Sequence, residues 1–167
     1  MTNEEIDQYA DEQNKKYNLP EGLIKAVIQI ESNYDINALK QESNGRYSIG
    51  LMQILRGGAI DVYERLKRVT KDDNFYYEPK NNIDVGSWYL GERIPYLLNH
   101  YKHQKTLDNL IICYNAGIGN LNKGHTPIST KEYISKIKEK LGIKEEFNTF
   151  FFSCPHCSSK INIQVTA

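Results

Sequence analysis

The chain has 167 residues, about what one hydrophobic core can organise, so one main domain and at most a small appendage are expected. Lysine plus arginine and aspartate plus glutamate both total 21, a formal net charge of zero that argues against a surface built to neutralise nucleic-acid phosphates. At 40% hydrophobic and 25% charged residues the chain is too apolar for wholesale disorder, and three cysteines exclude a disulfide-rich scaffold.

The periodicity is helical almost throughout. Thr2 and Glu5 form a predicted capping box, and Ile6, Tyr9, Ala10, Gln13 and Tyr17 follow at helical spacing until Leu19-Pro20. A second helix is predicted from about Glu21 to Ser32, with Leu23, Ile24, Val27 and Ile28 inward. The polar stretch NYDINALKQESNGRYS is predicted to be a loop, and a loop this long inside a domain is more often functional than idle. A third helix carries Ala59, Val62, Tyr63, Leu66 and Val69. A fourth runs from Ile83 to Tyr101 with a kink at Pro95, and a fifth carries Leu107, Leu110, Ile111 and Tyr114 up to Gly117. Ser129 and Glu132 predict a second capping box for a last helix ending at Gly142. Strand-like alternation is absent before residue 147. The expected fold is mainly α: a helical domain over residues 1–145, followed by a short β-type, zinc-knuckle-like appendage over 146–167.

The N-terminal stretch MTNEEIDQYADEQNKKYNLP lacks the apolar core of a secretory signal, and no run approaches about 18 consecutive apolar residues. No transmembrane segment is expected, and if the substrate lies outside the cytoplasm, something else must deliver the protein. Twelve tyrosines against one tryptophan suit a groove that binds sugars or peptides, and equally the codon drift of an A/T-rich genome.

Glu31 is the leading candidate for chemistry. It lies at the end of an amphipathic helix one turn beyond Val27 and Ile28, where desolvation and the negative helix terminus both disfavour its carboxylate. A glutamic acid still protonated near neutral pH is what a general acid requires. The alternative is a helix-end residue rotated to the surface.

Blocks in sequence order extend this reading: Glu31-Ser32 after LIKAVIQI, Ser48-Ile49-Gly50-Leu51-Met52-Gln53-Ile54, NNIDVGSWYLGERIPYLL from Asn81, Cys113-Tyr114-Asn115-Ala116-Gly117 and Thr130-Lys131-Glu132-Tyr133. From about Leu19 to Leu141 this pattern resembles the soluble lytic transglycosylase family, lysozyme-like enzymes that cleave peptidoglycan. The resemblance implies Glu31 as the catalytic residue, with Ser48, Gly50, Leu51, Met52, Gln53, Tyr114, Asn115 and Tyr133 binding substrate. It also implies cleavage of the β-1,4 bond between N-acetylmuramic acid and N-acetylglucosamine, a 1,6-anhydromuramic product and no cofactor for catalysis. In residue terms, Gly50 lets backbone approach a ligand, Met52 offers a pliable contact, and the Gln53 amide can donate and accept. Tyr114-Asn115 supplies a ring face and an amide. The plainer readings are a turn into a core helix, a glycine helix stop and a core Tyr133.

The region between Glu31 and Gly50 is longer than in many family members, so the serine that often assists the glutamate is either Ser43 or Ser48. The insertion also contains Asp35 and Glu42. Goose-type lysozymes, more distantly similar, use an acidic loop residue to position water; Glu42 turned into the cleft would serve as a second carboxylate for hydrolysis, and turned outward it is a solvated charge. Near Pro127, Ser129 stands where many members carry a glutamate. Cys113 reads as a buried small hydrophobe. Cys154 and Cys157, around Pro155-His156, read as half a zinc ribbon; a closed site needs four ligands, so zinc would require a dimer sharing two knuckles, the alternatives being a degenerate ribbon, a truncated one or a redox-active pair. Beside the transglycosylase, the sequence leaves open a hydrolytic muramidase and a noncatalytic peptidoglycan-binding or virion module.

Overall fold

The computed structural model describes residues 1–42 and 45–144 in full, and the backbone of 147–153 and 160–166. Helix α1 (Asn3–Lys16) opens with the predicted capping box: the Thr2 hydroxyl accepts from the Glu5 amide, and the Glu5 carboxylate accepts from the Thr2 amide. Its inward face buries Ile6, Ala10, Gln13 and Asn14. Asn14 also serves the next element. Helix α2 (Leu23–Glu31) begins after Gly22, which has no side chain to cap it, and Asn14 Oδ1 accepts from the Ile24 amide at 3.2 Å instead. Leu23, Ile24, Ala26, Val27 and Ile28 of α2 are buried, so the position of Glu31 at its end is set by the packing of the core.

The segment predicted to be a loop is a small sheet. Strands β1 (Leu39–Gln41), β2 (Tyr47–Ile49) and β3 (Ile54–Leu55) pair antiparallel in the order β1-β2-β3, with Lys40 opposite Ser48 and Ile49 opposite Ile54. This corrects the expectation of a helical domain whose β structure is confined to a zinc-knuckle-like C-terminal appendage: the three-stranded sheet lies mid-sequence. Strands of two or three residues, one of them exposed throughout, are too short to display alternation. The backbone of β4 (Phe147–Ser153) pairs with that of β5 (Lys160–Thr166). Cys154 and Cys157, and with them the expected zinc knuckle and shared-knuckle dimer, lie outside the described residues. Among those described, no group of three His, Cys, Asp or Glu is arranged to hold a metal.

Helices α3 (Ala59–Lys67) and α4 (Asp73–Tyr77) follow the sheet. Arg56 ties them to it, donating to Asp73 at 2.6 Å and Glu64 at 3.1 Å, while Tyr76 and Tyr47 donate to Glu64 and Asp73. The predicted fourth helix is α5 (Pro79–Trp88) and α6 (Ile94–His100), joined by a π-helical turn over Tyr89–Arg93. The expected irregularity at Pro95 therefore takes the form of this widened turn just before it, in which the Ile94 amide donates to the Tyr89 carbonyl five residues back. Proline brings no amide and crowds the carbonyl four residues earlier, which is Gly91. Gly91 is needed there: a Cβ would lie 2.4 Å from Cβ of Tyr17.

Helices α7 (Leu107–Asn115), α8 (Ile118–Asn122) and α9 (Ile128–Lys140) complete the described domain. The predicted capping box at Ser129 does not form. Helix α9 starts directly after Pro127, whose carbonyl accepts from the Thr130 and Lys131 amides, and Ser129 lies inside its first turn. Helix α2 packs against both α1 and α9, at the centre of a core that joins Ile24, Ile28, Ile49, Leu51, Met52, Ile83, Ile111 and Ile137. No helix among the described residues is long and apolar enough to cross a membrane.

Asn82 of α5 holds the turn between β2 and β3 in the core. Its amide donates to the carbonyls of Ile49 at 2.9 Å and Tyr76 at 2.7 Å, and its oxygen accepts from the Met52 amide at 2.8 Å. Gly50 fits against it at φ 71°, where a Cβ would sit 2.2 Å from Asn82 Nδ2. Replacing Asn82 with Ala strands a buried donor and withdraws two donors from buried carbonyls. We expect Asn82→Ala to lose about 2–4 kcal/mol, seen as a lower midpoint in urea unfolding; an unchanged midpoint would show that the turn does not depend on it.

Candidate active site

Sheet and helices face each other across a cleft of about 420 Å³. One wall is the sheet, with Lys40, Glu42, Ser48 and Gln53; the other is the end of α7 with Tyr114, Asn115 and the following Ala116-Gly117; Tyr89 enters from the π-helical turn. Glu31, the last residue of α2, opens into this cleft and is half-buried. Burial is the leading reason that its pKa is pushed up to about 7, and the negative charge of Glu42 acts in the same direction. Tyr133 and Lys40 oppose both, each more weakly than burial and more strongly than Glu42. At neutral pH a large fraction of Glu31 therefore carries its proton.

Tyr133 of α9 approaches Glu31 from the protein interior. Its hydroxyl stabilises the carboxylate, but the approach is looser than a formed hydrogen bond, because this buried oxygen has no partner of bonding geometry among the described residues. Burial and the neighbouring Glu31 charge hold the Tyr133 phenol well above its ordinary range, so it stays a neutral donor.

The predicted binding residues divide into two groups. Ser48, Gln53, Tyr114 and Asn115 line the cleft with Glu31 and Glu42. Gly50, Leu51 and Met52 do not: all three are buried, and the Met52 side chain packs on Gly86, where a Cβ would meet its sulfur at 2.4 Å. What Met52 contributes to the site is its carbonyl, which accepts from the Tyr114 hydroxyl at 2.6 Å and ties the α7 wall to the sheet wall.

The polar groups have restricted roles. Gln53 Nε2 donates to the carbonyls of Ala38 at 3.1 Å and Gly50 at 3.0 Å, so the amide expected to donate and accept offers the cleft only its oxygen. Gln53 adopts φ 45°, which turns its side chain back over the turn. Asn115 is exposed, and its Oδ1 accepts from the Thr130 hydroxyl at 2.7 Å. Ser48 is buried and donates to Glu42 Oε1 at 3.2 Å, and Lys40 pairs with the same oxygen at 3.3 Å. Glu42 is thus turned toward the cleft, with Ser48 and Lys40 already on its carboxylate. Asp35 caps its own turn, accepting from the Asn37 amide at 2.9 Å; Ser43 lies outside the described residues. Cys113 is buried, with a thiol pushed up to about 11 by desolvation, an inert wall atom.

Lys40 and Tyr89 were missed from sequence. The signal for Lys40 is its two-residue spacing from Glu42, informative only once β1 is recognised as a strand. Tyr89 follows Trp88 in the quoted WYLGER block, and a regular helix gives no reason to single it out; the π-helical turn carries it to the cleft, with its ring 6.2 Å from that of Tyr114.

The mainly helical fold with its short sheet has a solved counterpart. An inactive Glu-to-Gln mutant of the lytic transglycosylase Slt from Pseudomonas aeruginosa shares the fold, with a TM-score of 0.62 and 19% identity over 80% of this chain and 23% of that one. Residues 8–136 match the family described as "Transglycosylase SLT domain", and the chain belongs to that family. Its relatives include the membrane-bound lytic murein transglycosylase C of Photorhabdus laumondii, 28% identical over 87% of this chain, and that of Salmonella paratyphi B, 31% identical over 65%. The chain spans 40% and 30% of these two relatives' lengths.

The position of Glu31 has a cost in stability. Its folded-state pKa of about 7 lies above the ordinary 4.5, so folding is most favourable while Glu31 is protonated in both states and weakens as pH rises through about 7. Glu31→Gln removes that loss. The variant is expected to match wild type near pH 4 and to exceed it by at most about 3 kcal/mol at pH 8 in denaturant titrations; a gain of equal size at both pH values would contradict a titrating origin.

Proposed function

We propose that this chain is the catalytic domain of a lytic transglycosylase that cleaves the β-1,4 bond between N-acetylmuramic acid and N-acetylglucosamine in peptidoglycan, with Glu31 as its acid and base. The observation that carries this reading is the half-buried Glu31 carboxyl, with a pKa of about 7, in the cleft of a transglycosylase-family domain. Glu31 gives its proton to the glycosidic oxygen, the bond from that oxygen to C1 of the muramic residue breaks, and the substrate's own acetamido group stabilises the electron-poor C1. The muramic C6 hydroxyl then attacks C1 and returns its proton to Glu31, closing the 1,6-anhydro ring. Water is not consumed. A hydroxyl on the same sugar residue has a very high effective concentration, which supports a mechanism that needs one carboxylate where ordinary glycosidases use two.

In this reading Gln53 accepts from a sugar hydroxyl or acetamide N–H, Asn115 presents its amide from the opposite wall, and the Tyr114 and Tyr89 rings line the sugar's path. Tyr133 stabilises Glu31 while it is anionic between the two proton transfers. Hydrolysis is the second reading. The position of Glu42 on the same cleft favours it, and the Ser48 and Lys40 contacts on that carboxylate weigh against its positioning a water.

Digestion of purified sacculi followed by mass spectrometry of the muropeptides tests this. Anhydro ends, lighter by one water than reducing ends, are expected; reducing ends would transfer the assignment to hydrolysis, and no release would reject catalysis. Glu31→Gln should lower release by about 10³-fold or more, as removal of a general acid requires. The rate should fall as pH rises through about 7, because the acid must enter the reaction protonated. Glu42→Gln removes a charge that raises the Glu31 pKa and should move this alkaline limb to lower pH, whereas Lys40→Met should move it higher. Limbs shifting in the same direction would contradict the assigned electrostatics.

A further inference from the structure

The charged groups of the cleft are concentrated on the sheet wall. Lys40, Glu42 and Arg46 line it and Glu31 opens into the cleft from the end of α2, while the facing α7 wall contributes Tyr114, Asn115, Ala116 and Gly117, none of them charged. While Glu31 holds its proton, Lys40 and Arg46 outnumber Glu42 and the cleft carries one net positive charge. Lys40 pairs with Glu42 Oε1 at 3.3 Å, yet its side chain is 67% exposed, so the ammonium retains hydrogens free to meet a ligand. Arg46, on the far side of the β1–β2 turn, is exposed and laid across the backbone at Gly57, where a Cβ would approach its Nε to 3.0 Å; this directs it along the cleft edge that continues into Gly58 and Ala59. The β1–β2 hairpin therefore presents two cations to one side of the bound substrate.

Acid–base cleavage at the glycosidic oxygen does not need these cations. Lys40 works against the protonated state of Glu31, because its charge lowers the pKa that burial and Glu42 raise. The sugars of a glycan strand are neutral wherever the lactyl group carries a peptide. A stem peptide attached to the muramic residue carries free carboxylates, and it projects sideways from the strand, where a hairpin wall can reach it. Resting on the function proposed above, we infer that Lys40 and Arg46 form a subsite for a stem-peptide carboxylate and set a preference for peptide-bearing strands. An exposed pair of this kind acts mainly on capture: it strengthens binding modestly, accelerates encounter and is screened by salt.

The test uses un-cross-linked glycan strands with their stem peptides and the same strands stripped by an amidase, which leaves only the lactyl carboxylate. Rates are compared for the full chain and for the Lys40→Met/Arg46→Met double variant. At about pH 5.5 Glu31 lies below its midpoint of about 7 in both proteins, so the effect of Lys40 on its titration drops out. The wild type should prefer peptide-bearing strands through KM, and added salt should shrink the preference. In the variant the ratio of kcat/KM on peptide-bearing to stripped strands should fall about five- to tenfold, through KM for the peptide-bearing strands, as loss of two exposed charge contacts predicts; any effect of Lys40 on Glu31 acts on both substrates alike and cancels in this ratio. An equal rise of KM on both substrates would assign the cations to the lactyl carboxylate or the glycan and overturn the inference. A fall confined to kcat, or no change, would overturn it as well. A wild-type chain that releases nothing from either substrate would instead remove the function on which the inference rests.

Discussion

The turn from Gly50 to Gln53 must be buried without leaving its peptide groups unpaired, and the rest of the cleft is arranged around that requirement. Asn82 satisfies it from α5, reaching Ile49, Met52 and Tyr76 at once. From α7, Tyr114 donates to Met52, and the Ala38 carbonyl accepts from both the Gly50 amide and the Gln53 side chain. Elements distant in sequence thereby meet at one four-residue turn. The two walls of the cleft take their separation from it, and Gln53 is left with one outward-facing acceptor. Unpaired buried polar groups cost about 1–3 kcal/mol each, so the turn admits little variation in any of its supports.

Glu31 depends on the same core from the other side. Helix α2 is short and apolar, is capped by a neighbour's side chain and is packed between α1 and α9, so its last residue has little freedom to rotate outward. Burial then destabilises the carboxylate, and the surrounding groups adjust the result: Glu42 raises the pKa, while Lys40 and Tyr133 lower it. A site of this kind remains poised near neutrality through opposing terms. The arrangement is unfavourable for stability above neutral pH and favourable for a group that must give up a proton and recover it.

Much of the helical frame was legible in the sequence, since α1, α2 and α7 bury residues three and four apart and carry recognisable stops. The sheet was not. Its strands are too short for alternation, and β1 exposes all three residues, so the chain there has the polarity of a loop. Ser129 and Glu132 have the spacing of a capping box, but Pro127 sets where α9 starts and leaves Ser129 inside the helix. The structure divides the residues of the family blocks: Leu51 and Met52 are buried in the core, whereas Ser48, Gln53, Tyr114 and Asn115 line the cleft. Tyr89 could not be found by periodicity, because the widened turn that carries it to the cleft breaks the helical count.

Everything in the cleft turns on the core holding Glu31 in its protonated form near neutral pH. A carbon-13 NMR titration of the side-chain carboxyl of Glu31, assigned by its disappearance in Glu31→Gln, measures this without substrate and without reference to rate. A midpoint near 7, set by burial, is expected. A midpoint at the ordinary value near 4.5 would mean that Glu31 is solvated and anionic at neutral pH, and would contradict its assignment as the acid.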